Sequence, residues 1–446
     1  MGDGGDRRDQ RVDIRVSHAL YSYYGDDFTG STDVLEALAV AGLRGVLFLG
    51  NPSAAHLARF SDCQAFGIAG DSRSRTPQWM DEHLPAIFAR LRSFGAPLVH
   101  YKTCSTFDSS PHIGSIGRAM EIGRRTLNSA FVPVVVAAPH LKRYVVFGNL
   151  FAAAGNEVYR IDRHPTMRRH PVTPMHEADL RLHLAAQTNL RMGLIDLPTV
   201  QSGHSEEALS ARIAAGDQAI VFDGVERHDA NEIGRLLWWR ARKAPLFAVG
   251  SSGLTYGLAS AWQIENLAGS MPAAAPSKET DRLLVMSGSC SPVTERQIAH
   301  ALRNGYEGIA LDGVGFAEVV SKTTEALQRS GRVIVYSALG PLPAGVPARG
   351  SALGEAIGSM LGEIIQVSGV RRVVLAGGDT SSHAVARLGL YALTWAAATQ
   401  PGAPLCRAHS DIPALDGLEL VLKGGQVGTE DFFEKLILQS RGTVNT

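Results

Sequence analysis

Short apolar runs alternate with segments of helical spacing along most of the chain. Runs of strand length occupy residues 20–24, 45–49, 65–70, 97–101 and 132–138, and residues 32–41 have the three-and-four spacing of a helix that ends at Gly42. Further runs follow at residues 193–196, 219–223, 246–249, 283–286 and 373–376. Strands that alternate with helices predict an α/β fold.

One segment divides the pattern into two parts. Residues 266–281 are rich in Ala, Pro, Ser and Gly, which is typical of a linker. We therefore expect an N-terminal domain at residues 17–265 and a C-terminal domain at residues 282–446, both α/β, with a ligand cleft between them. Residues 1–16 are expected to be a disordered leader, because they lack the apolar core of a secretory signal.

Charge and cysteine usage narrow the class of function. Lys plus Arg and Asp plus Glu both number 43 in 446 residues, so neither nucleic acid nor an anionic membrane surface is indicated as a partner. The chain has no apolar run of membrane-spanning length. Its four cysteines are widely spaced, without metal or redox spacing, which fits a reducing cytoplasm. The sequence predicts a cytoplasmic protein that binds small molecules, and it is compatible with a homo-oligomer.

Three Gly- and Ser-rich turns after C-terminal apolar runs are candidates for phosphate binding. Open α/β sheets bind ligands beyond the carboxyl ends of their strands, where helix N-termini suit anions. The candidate residues are Ser289, Ser291, Gly377, Gly378, Asp379, Thr380, Ser381, Lys423, Gly425 and Gly428. Ser291 is expected to cap a helix that begins at Pro292, and Thr380 or Ser381 to cap the helix that follows them.

Each of these turns has a plainer interpretation. A capped strand–helix turn need bind nothing, and Lys423 could be a solvated lysine in a glycine-rich connection. Gly-x4-Gly-Lys-Ser/Thr does not occur in the chain, and Gly-x-Gly-x-x-Gly follows none of the predicted strands, so the P-loop and the dinucleotide fingerprint are excluded.

The first turn carries two adjacent carboxylates, Asp26 and Asp27. Two like charges side by side are energetically unfavourable, so their presence indicates a functional role. One could accept a proton from a substrate hydroxyl, and the other could orient the substrate or hold Mg²⁺ through water. Helix capping is the alternative. Arg73 and Lys102, after two other predicted strands, offer a fork for a carboxylate and a compact positive charge.

Histidines do not indicate a metal site. His164, His170 and His176 recur at a spacing of six, which does not bring them to one helix face.

Five ordered segments, at residues 26–33, 102–110, 288–294, 377–381 and 423–428, resemble those of the four-carbon acid sugar kinases. The resemblance implies an N-terminal substrate domain, a C-terminal nucleotide domain and ATP-dependent phosphorylation of the terminal hydroxyl of threonate, erythronate or an oxo-tetronate. It implies that the acid sugar contacts Asp26, Arg73, Lys102, Thr103, Cys104 and Ser105. ATP would contact Ser289, residues 377–381 and Gly425.

These features support a hypothesis of in-line phosphoryl transfer between the domains. Asp26 or Asp27 would be the base, Arg73 and Lys102 would hold the substrate carboxylate, and Lys423 with glycine N–H groups would hold the phosphates, bridged by Mg²⁺. A non-catalytic nucleotide or sugar-acid sensor is the alternative from another class, although a sensor needs no base. An aldolase or epimerase of the same metabolites is a further alternative.

Overall fold

The fold is that of a computed structural model, which describes residues 19–170, 172–273, 282–311, 314–340 and 350–438. The predicted leader, residues 1–16, and residues 274–281 of the predicted linker lie outside these ranges.

The N-terminal half alternates strands and helices as the apolar pattern predicts. Its elements are β1 (Tyr21–Gly25), α1 (Phe28–Val40), β2 (Gly45–Phe48), α2 (Ala54–Ala58), β3 (Ala65–Ala69), α3 (Pro77–Ser93), β4 (Leu98–Lys102), α4 (Ile116–Leu127), β5 (Val132–Val135), β6 (Arg143–Val146), β7 (Asn149–Ala154), β8 (Glu157–Arg160), α5 (Leu180–Ala185), β9 (Met192–Ile195), α6 (Leu197–Gln201), α7 (Ser205–Ala214), β10 (Ala219–Phe222), α8 (Arg227–Lys243), β11 (Leu246–Gly250) and α9 (Ser252–Ile264).

The C-terminal half adds a long hairpin to the same alternation. Its elements are β12 (Leu283–Ser287), α10 (Pro292–Arg303), β13 (Glu307–Ala310), α11 (Phe316–Arg329), β14 (Arg332–Tyr336), α12 (Gly350–Ser368), β15 (Arg372–Ala376), α13 (Gly378–Ala386), β16 (Leu390–Gln400), β17 (Ala403–Ser410), β18 (Glu419–Lys423) and α14 (Phe432–Leu438).

Fifteen strands form one sheet that runs through both halves, in the order β13-β14-β12-β15-β18-β17-β16-β2-β3-β1-β4-β11-β5-β10-β9. Within this sheet, the strands of each half pair in parallel, apart from β16 and β17. Strands β1, β4 and β11, in the middle of the N-terminal part of the sheet, are buried along their whole length. Such apolar strands, covered by helices on both faces, are typical of parallel sheets. The predicted α/β class is confirmed.

The β16–β17 hairpin joins the two halves. β16 pairs antiparallel with β2, and β17 pairs antiparallel with β18. Leu35 and Leu38 of α1 belong to the same buried apolar cluster as Leu393 of β16 and Val385 of α13. The halves therefore share backbone hydrogen bonds and a core, so that any ligand cleft lies at the edge of a continuous sheet.

One local expectation needs correction. The first helix begins at Phe28, not at residue 32, because the Asp27 side chain accepts a hydrogen bond from Gly30 N–H at 2.8 Å and caps it. Residues 145–169 contribute to a separate three-stranded antiparallel sheet of β6, β7 and β8, followed by short 3-10 turns. Within the described ranges, no helix is long and apolar enough to cross a bilayer.

Candidate active site

The sheet brings the N-terminal candidates to one edge. β1 lies between β3 and β4, and all three strands run in parallel, so their carboxyl ends meet. Asp26 and Asp27 follow β1, Lys102 ends β4 and Thr103 follows it, and Arg73 lies on a 3-10 turn, Ser72–Ser74, shortly after β3. The Arg73 N–H bonds to Asp26 O at 3.1 Å, which fixes this turn against the first loop.

Arg73 bonds to both carboxylates of the aspartate pair. Its Nη2 and Nε donate to Asp26 Oδ1 and Oδ2 at 2.8 and 3.3 Å, and its Nη1 donates to Asp27 Oδ2 at 2.9 Å. Asp26 and Asp27 are buried, whereas 24% of the Arg73 side chain is exposed. One guanidinium thus compensates two adjacent negative charges that water cannot solvate.

The two aspartates titrate differently. Burial raises the pKa of Asp26 from its ordinary 3.8 to about 6, and Arg73 offsets only part of this effect. Burial also acts to raise the pKa of Asp27, but Arg73, Lys102, the Thr29 hydroxyl and Gly30 N–H together hold that pKa below its ordinary value. Environments that push the pKa values of paired carboxyl groups apart are typical of acid–base sites.

Lys102 and its neighbours form the buried floor of this site. The Lys102 ammonium lies 3.9 Å from Asp33 Oδ2. Asp33 Oδ1 and Thr103 Oγ1 are buried and have no hydrogen-bond partner within the described residues. Because buried polar groups are normally paired, these two atoms indicate a place where a polar ligand could bind after some opening. Cys104 and Ser105 are half-buried on the loop that follows, which Thr106 closes by bonding to Asp108 Oδ1 at 2.5 Å.

The C-terminal candidates also meet at one edge, because β12, β15 and β18 are neighbours in parallel. Their loops are packed so closely that glycine is required. A Cβ atom on Gly288 would lie 2.2 Å from Thr380 Oγ1, and one on Gly425 would lie 2.8 Å from Ser289 Oγ. Gly377 adopts φ 116°, which other residues rarely do.

Backbone N–H groups at this edge are free to bind an anion. Those of Cys290, Gly378, Thr380, Gly425 and Gln426 have no acceptor in the part of the chain that the structure describes. Gly378 and Thr380 lie in the first turn of α13, where a helix carries partial positive charge. Several free N–H groups beside a helix N-terminus form a suitable site for phosphate.

Helices α10 and α13 begin with different kinds of N-cap. Ser291 caps α10 as predicted, since its Oγ accepts from Val293 N–H at 3.2 Å and Pro292 follows. The prediction that Thr380 or Ser381 caps α13 is wrong. The N-cap is Gly377, and Ser381 Oγ instead donates to Leu375 O at 3.1 Å. The Asp379 side chain lies outside the described part of the structure.

Two further candidates, Lys423 and Gly428, are packed against neighbouring residues. Lys423 is fully buried, and its ammonium donates to Thr294 Oγ1 at 3.1 Å and to Gly424 O at 3.0 Å, so it is not a solvated lysine. Burial lowers the pKa of Lys423 to about 7. Gly428, at φ 92°, packs beside Phe432 and Gln297 and shapes the far end of its loop.

The two edges approach each other at Thr29 and Gly378. A Cβ atom on Gly378 would lie 4.0 Å from Thr29 Oγ1, and Thr29 Oγ1 donates to Asp27 Oδ2 at 2.7 Å. Sheets twist by about 20–25° per strand. That twist, accumulated over the six strand-to-strand steps from β15 to β1, explains how the two loops meet although their strands run in opposite senses.

Two residues near the acidic loop were missed by sequence reasoning. The His140 ring, on the turn after β5, lies 4.2 Å from the Tyr256 ring of α9. Burial lowers the pKa of His140, on which the charges of Asp33 and Lys102 also act. The only available signal was an apolar run that ends in Pro-His.

No group of three or more metal-ligating side chains occurs among the residues described. Two of the three recurrent histidines make local backbone contacts instead. His164 Nδ1 accepts from Met167 N–H, and His170 Nδ1 accepts from Thr173 N–H.

Two known domain families match the chain, one in each of its halves. Residues 21–258 match a sugar-binding N-terminal domain, and residues 284–433 match a nucleotide-binding C-terminal domain. Among solved structures, a Salmonella typhimurium LT2 protein, solved under the name of a tRNA synthase, has a TM-score of 0.76 at 26% identity over 94% of this chain and 98% of that one. A Haemophilus influenzae protein has a TM-score of 0.69 at 25% identity over 95% and 100%.

Similar enzymes act on acid sugars. A 3-oxo-isoapionate kinase of Paraburkholderia graminis is 44% identical over 93% of both chains. A 3-oxo-tetronate kinase of Methylobacterium radiotolerans is 33% identical over 92% of this chain and 97% of its own. These comparisons confirm the predictions that the protein is a kinase and that it uses ATP. They contradict the sensor, aldolase and epimerase alternatives. Both domains and these relatives show that the chain is an ATP-dependent acid sugar kinase and belongs to the four-carbon acid sugar kinase family.

Proposed function

We propose that this kinase transfers the γ-phosphoryl group of ATP to the terminal hydroxyl of a 3-oxo acid with a four-carbon backbone. The more similar of the two kinases above acts on 3-oxo-isoapionate, and the less similar one on 3-oxo-tetronate, which favours a branched acid as the substrate. The observation that carries the proposal is the approach of the Asp26–Asp27 loop to the Gly377–Gly378 loop, marked by Thr29 beside Gly378. An acceptor hydroxyl near one loop would face a phosphate bound at the other.

Asp26 is the proposed base. Its pKa of about 6 lets it be ionised at neutral pH and still accept a proton as the hydroxyl attacks. Each of its oxygens accepts one bond from Arg73, which leaves a lone pair on each for the substrate. Asp27 is the weaker base, because Gly30 N–H, Thr29 and Arg73 already bond to it.

The substrate carboxylate is assigned to the cationic side of this loop. Arg73 has five N–H donors, of which the aspartates take three, and its partial exposure leaves the other two accessible. Lys102 adds a second positive charge, and Thr103, Cys104 and Ser105 line the adjoining loop. Thr103 Oγ1, which has no partner among the described residues, would pair with a substrate oxygen.

The free N–H groups of Gly378, Thr380, Gly425 and Gln426 are proposed to bind the ATP phosphates, with the Ser289 hydroxyl beside them. In-line transfer needs little from the protein beyond positioning and stabilisation of the charge on the transferred group. Helix α13 supplies part of that stabilisation through its N-terminus.

Mg²⁺ fits this site as a companion of ATP. No resident group of three or more metal-ligating side chains occurs among the described residues, and Mg²⁺ typically keeps several waters and binds through phosphates and one or two carboxylates. Asp27, whose pKa is held low, is the ionised carboxylate beside the Gly378 loop that would bind a water of the ion. When bound, the ion would neutralise charge on the phosphates. Removal of Mg²⁺ with a chelator is expected to abolish turnover, and its return to restore it.

A substrate panel tests the proposal. The purified enzyme would be incubated with ATP, Mg²⁺ and, in turn, 3-oxo-isoapionate, 3-oxo-tetronate, threonate and erythronate, with the phosphorylated product identified by mass spectrometry. We expect the highest kcat/KM with a 3-oxo acid and the phosphate on the terminal hydroxyl. Preference for threonate or erythronate, or a phosphate on another oxygen, would refute this substrate assignment. The Asp26→Asn variant controls for contaminating kinases.

A further inference from the structure

Buried side chains donate hydrogen bonds to carbonyl groups of the glycine-rich loop after β18. Thr294 Oγ1 of α10 donates to Gly425 O at 2.9 Å, and Lys423 Nζ donates to Gly424 O. Gln297 of the same helix donates through Nε2 to Val427 O and Thr429 O at 3.0 and 2.9 Å. Four carbonyl oxygens of residues 424–429 are therefore bonded by three buried side chains.

This bonding dictates where the loop N–H groups point. In a planar trans peptide unit the C=O and the following N–H point in opposite directions. The units whose oxygens bind Lys423 and Thr294 carry the N–H groups of Gly425 and Gln426. These are two of the N–H groups that have no acceptor within the described ranges. The Gly425 N–H therefore points away from the Lys423 ammonium, and the Gln426 N–H points away from the Thr294 hydroxyl. A Cβ atom on Gly425 would meet the side chains of Ser289 and of Ser291, the N-cap of α10.

The position of Lys423 allows it to act on a ligand through the glycine-rich loop rather than by direct contact. Its side chain is fully buried, and its ammonium is bonded to Thr294 Oγ1 and Gly424 O. Neither of these acceptors is a carboxylate, and no ion pair of Lys423 occurs among the described residues. Thr294 Oγ1 accepts from Lys423 and donates to Gly425 O, so the two side chains form one network.

We infer that Thr294, Gln297 and Lys423 are positioning residues, which orient the N–H groups of Gly425 and Gln426 toward the ATP phosphates without touching ATP. This rests on the proposed function only in placing the phosphates at this loop. It differs from the sequence-based expectation that Lys423 contacts a phosphate directly.

A matched pair of variants at one position tests the inference. Thr294→Val keeps the shape of the side chain but removes the hydroxyl, and Thr294→Ser restores it. Thr323→Val is the control, because Thr323 is a buried threonine of α11 in the same half whose hydroxyl has no partner among the described residues. Isothermal titration with ATP in the absence of acid sugar gives the affinity, and steady-state kinetics give KM for the acid sugar.

The free energy of one hydrogen bond corresponds to a loss of about tenfold in ATP affinity for Thr294→Val. We expect Thr294→Ser and Thr323→Val to bind ATP as the wild type does, and KM for the acid sugar to be unchanged in all three. Unchanged ATP affinity in Thr294→Val, or an equal loss in Thr323→Val, would overturn the inference. ATP affinity is measured without turnover, so an unidentified acid substrate does not affect the result.

A double-mutant cycle with Lys423→Met separates an indirect role from direct contact. If Lys423 and Thr294 act through one network, the combined loss of ATP affinity is smaller than the product of the single losses. Independent, multiplying losses would show that Lys423 contacts the nucleotide by itself. Thermal midpoints of all variants identify any that are unfolded. Should Lys423→Met not fold, the Thr294 pair still decides the inference.

Discussion

The Thr29 hydroxyl lies 4.0 Å from the position that a Cβ atom would take on Gly378, across the boundary between the two halves of the sheet. Thr29 bonds to Asp27, and the free Gly378 N–H begins α13, so acceptor loop and phosphate loop meet at this pair. The space between them admits a methyl group, and the transferred phosphoryl group would need that same space.

Gly378→Ala is therefore expected to impair catalysis without impairing folding. The thermal midpoint should match that of the wild type, because the added Cβ makes only an ordinary contact. We expect kcat to fall about 10²-fold, since misplacement of the reacting groups by about 1 Å has that order of effect. Steady-state kinetics check this. Gly50→Ala, whose Cβ would meet nothing within 4 Å, is the control, and equal kcat in both variants would contradict the prediction.

Exchange of each aspartate for asparagine distinguishes their roles. Asp26→Asn is expected to lower kcat by about 10²–10⁴-fold, the usual contribution of a positioned base. Asp27→Asn should cost less, because Asn also serves as an N-cap and can still accept from Gly30 N–H. Single-turnover measurements at saturating ATP give the comparison. Near-normal turnover in Asp26→Asn would remove Asp26 from the role of base.

The pH profile should report the Asp26 carboxyl group. A base must be ionised to act, so kcat/KM is expected to rise with pH through the Asp26 pKa of about 6 and to level off above it. Asp27→Asn removes a neighbouring negative charge and should move this limb to lower pH. Profiles at constant ionic strength test both statements, and a limb that stays in place in Asp27→Asn would contradict the coupling of the pair.

Arg73→Lys is expected to impair catalysis although it conserves the charge. An ammonium cannot reproduce the three hydrogen bonds of the guanidinium to Asp26 and Asp27. With less stabilisation of the ionised form, the Asp26 pKa rises further, so the acid limb of kcat/KM should move to higher pH. Arg75→Lys, which alters a neighbouring arginine that bonds to Asp71, is the control. A limb at the wild-type pH in Arg73→Lys would contradict the assignment.

The sequence predicts the alternation of elements well, because each buried strand is a short apolar run. Helix α1 shows where this fails, since its first turn, Phe28 to Ser31, has no apolar periodicity and depends on the Asp27 cap. The β16–β17 hairpin was not predicted. Its position is set by pairing with β2, more than 300 residues away, and no local pattern encodes such a contact.

The candidate site was predicted by residue type but not by arrangement. Arg73 and the aspartates were recognised at strand ends, whereas the sharing of one guanidinium between Asp26 and Asp27 depends on β1 and β3 being neighbours. The burial of Lys423 was not visible either. It depends on which face of β18 the side chain occupies and on α10 covering that face, which is tertiary information.

The contact between Glu36 and the hairpin turn should make stability depend on pH. Glu36 of α1 is buried, accepts from Gly402 N–H at 2.9 Å, and has a pKa raised by burial from 4.5 to about 7. As pH rises between these values, the unfolded chain loses this proton while the folded chain keeps it. Glu36 therefore contributes a loss of stability that begins above about pH 4.5 and is complete above about pH 7.

Glu36→Gln removes this charge and keeps an oxygen that can accept from Gly402. We expect the variant to be more stable than the wild type at pH 8, by about 1–3 kcal/mol at one pKa unit per 1.4 kcal/mol, and to gain little at pH 5. Thermal midpoints at both pH values and constant ionic strength give the comparison, with the exposed Glu363→Gln as control. The same offset at pH 5 and pH 8 would show that Glu36 is already ionised in the folded protein, and that burial against the hairpin does not hold its proton.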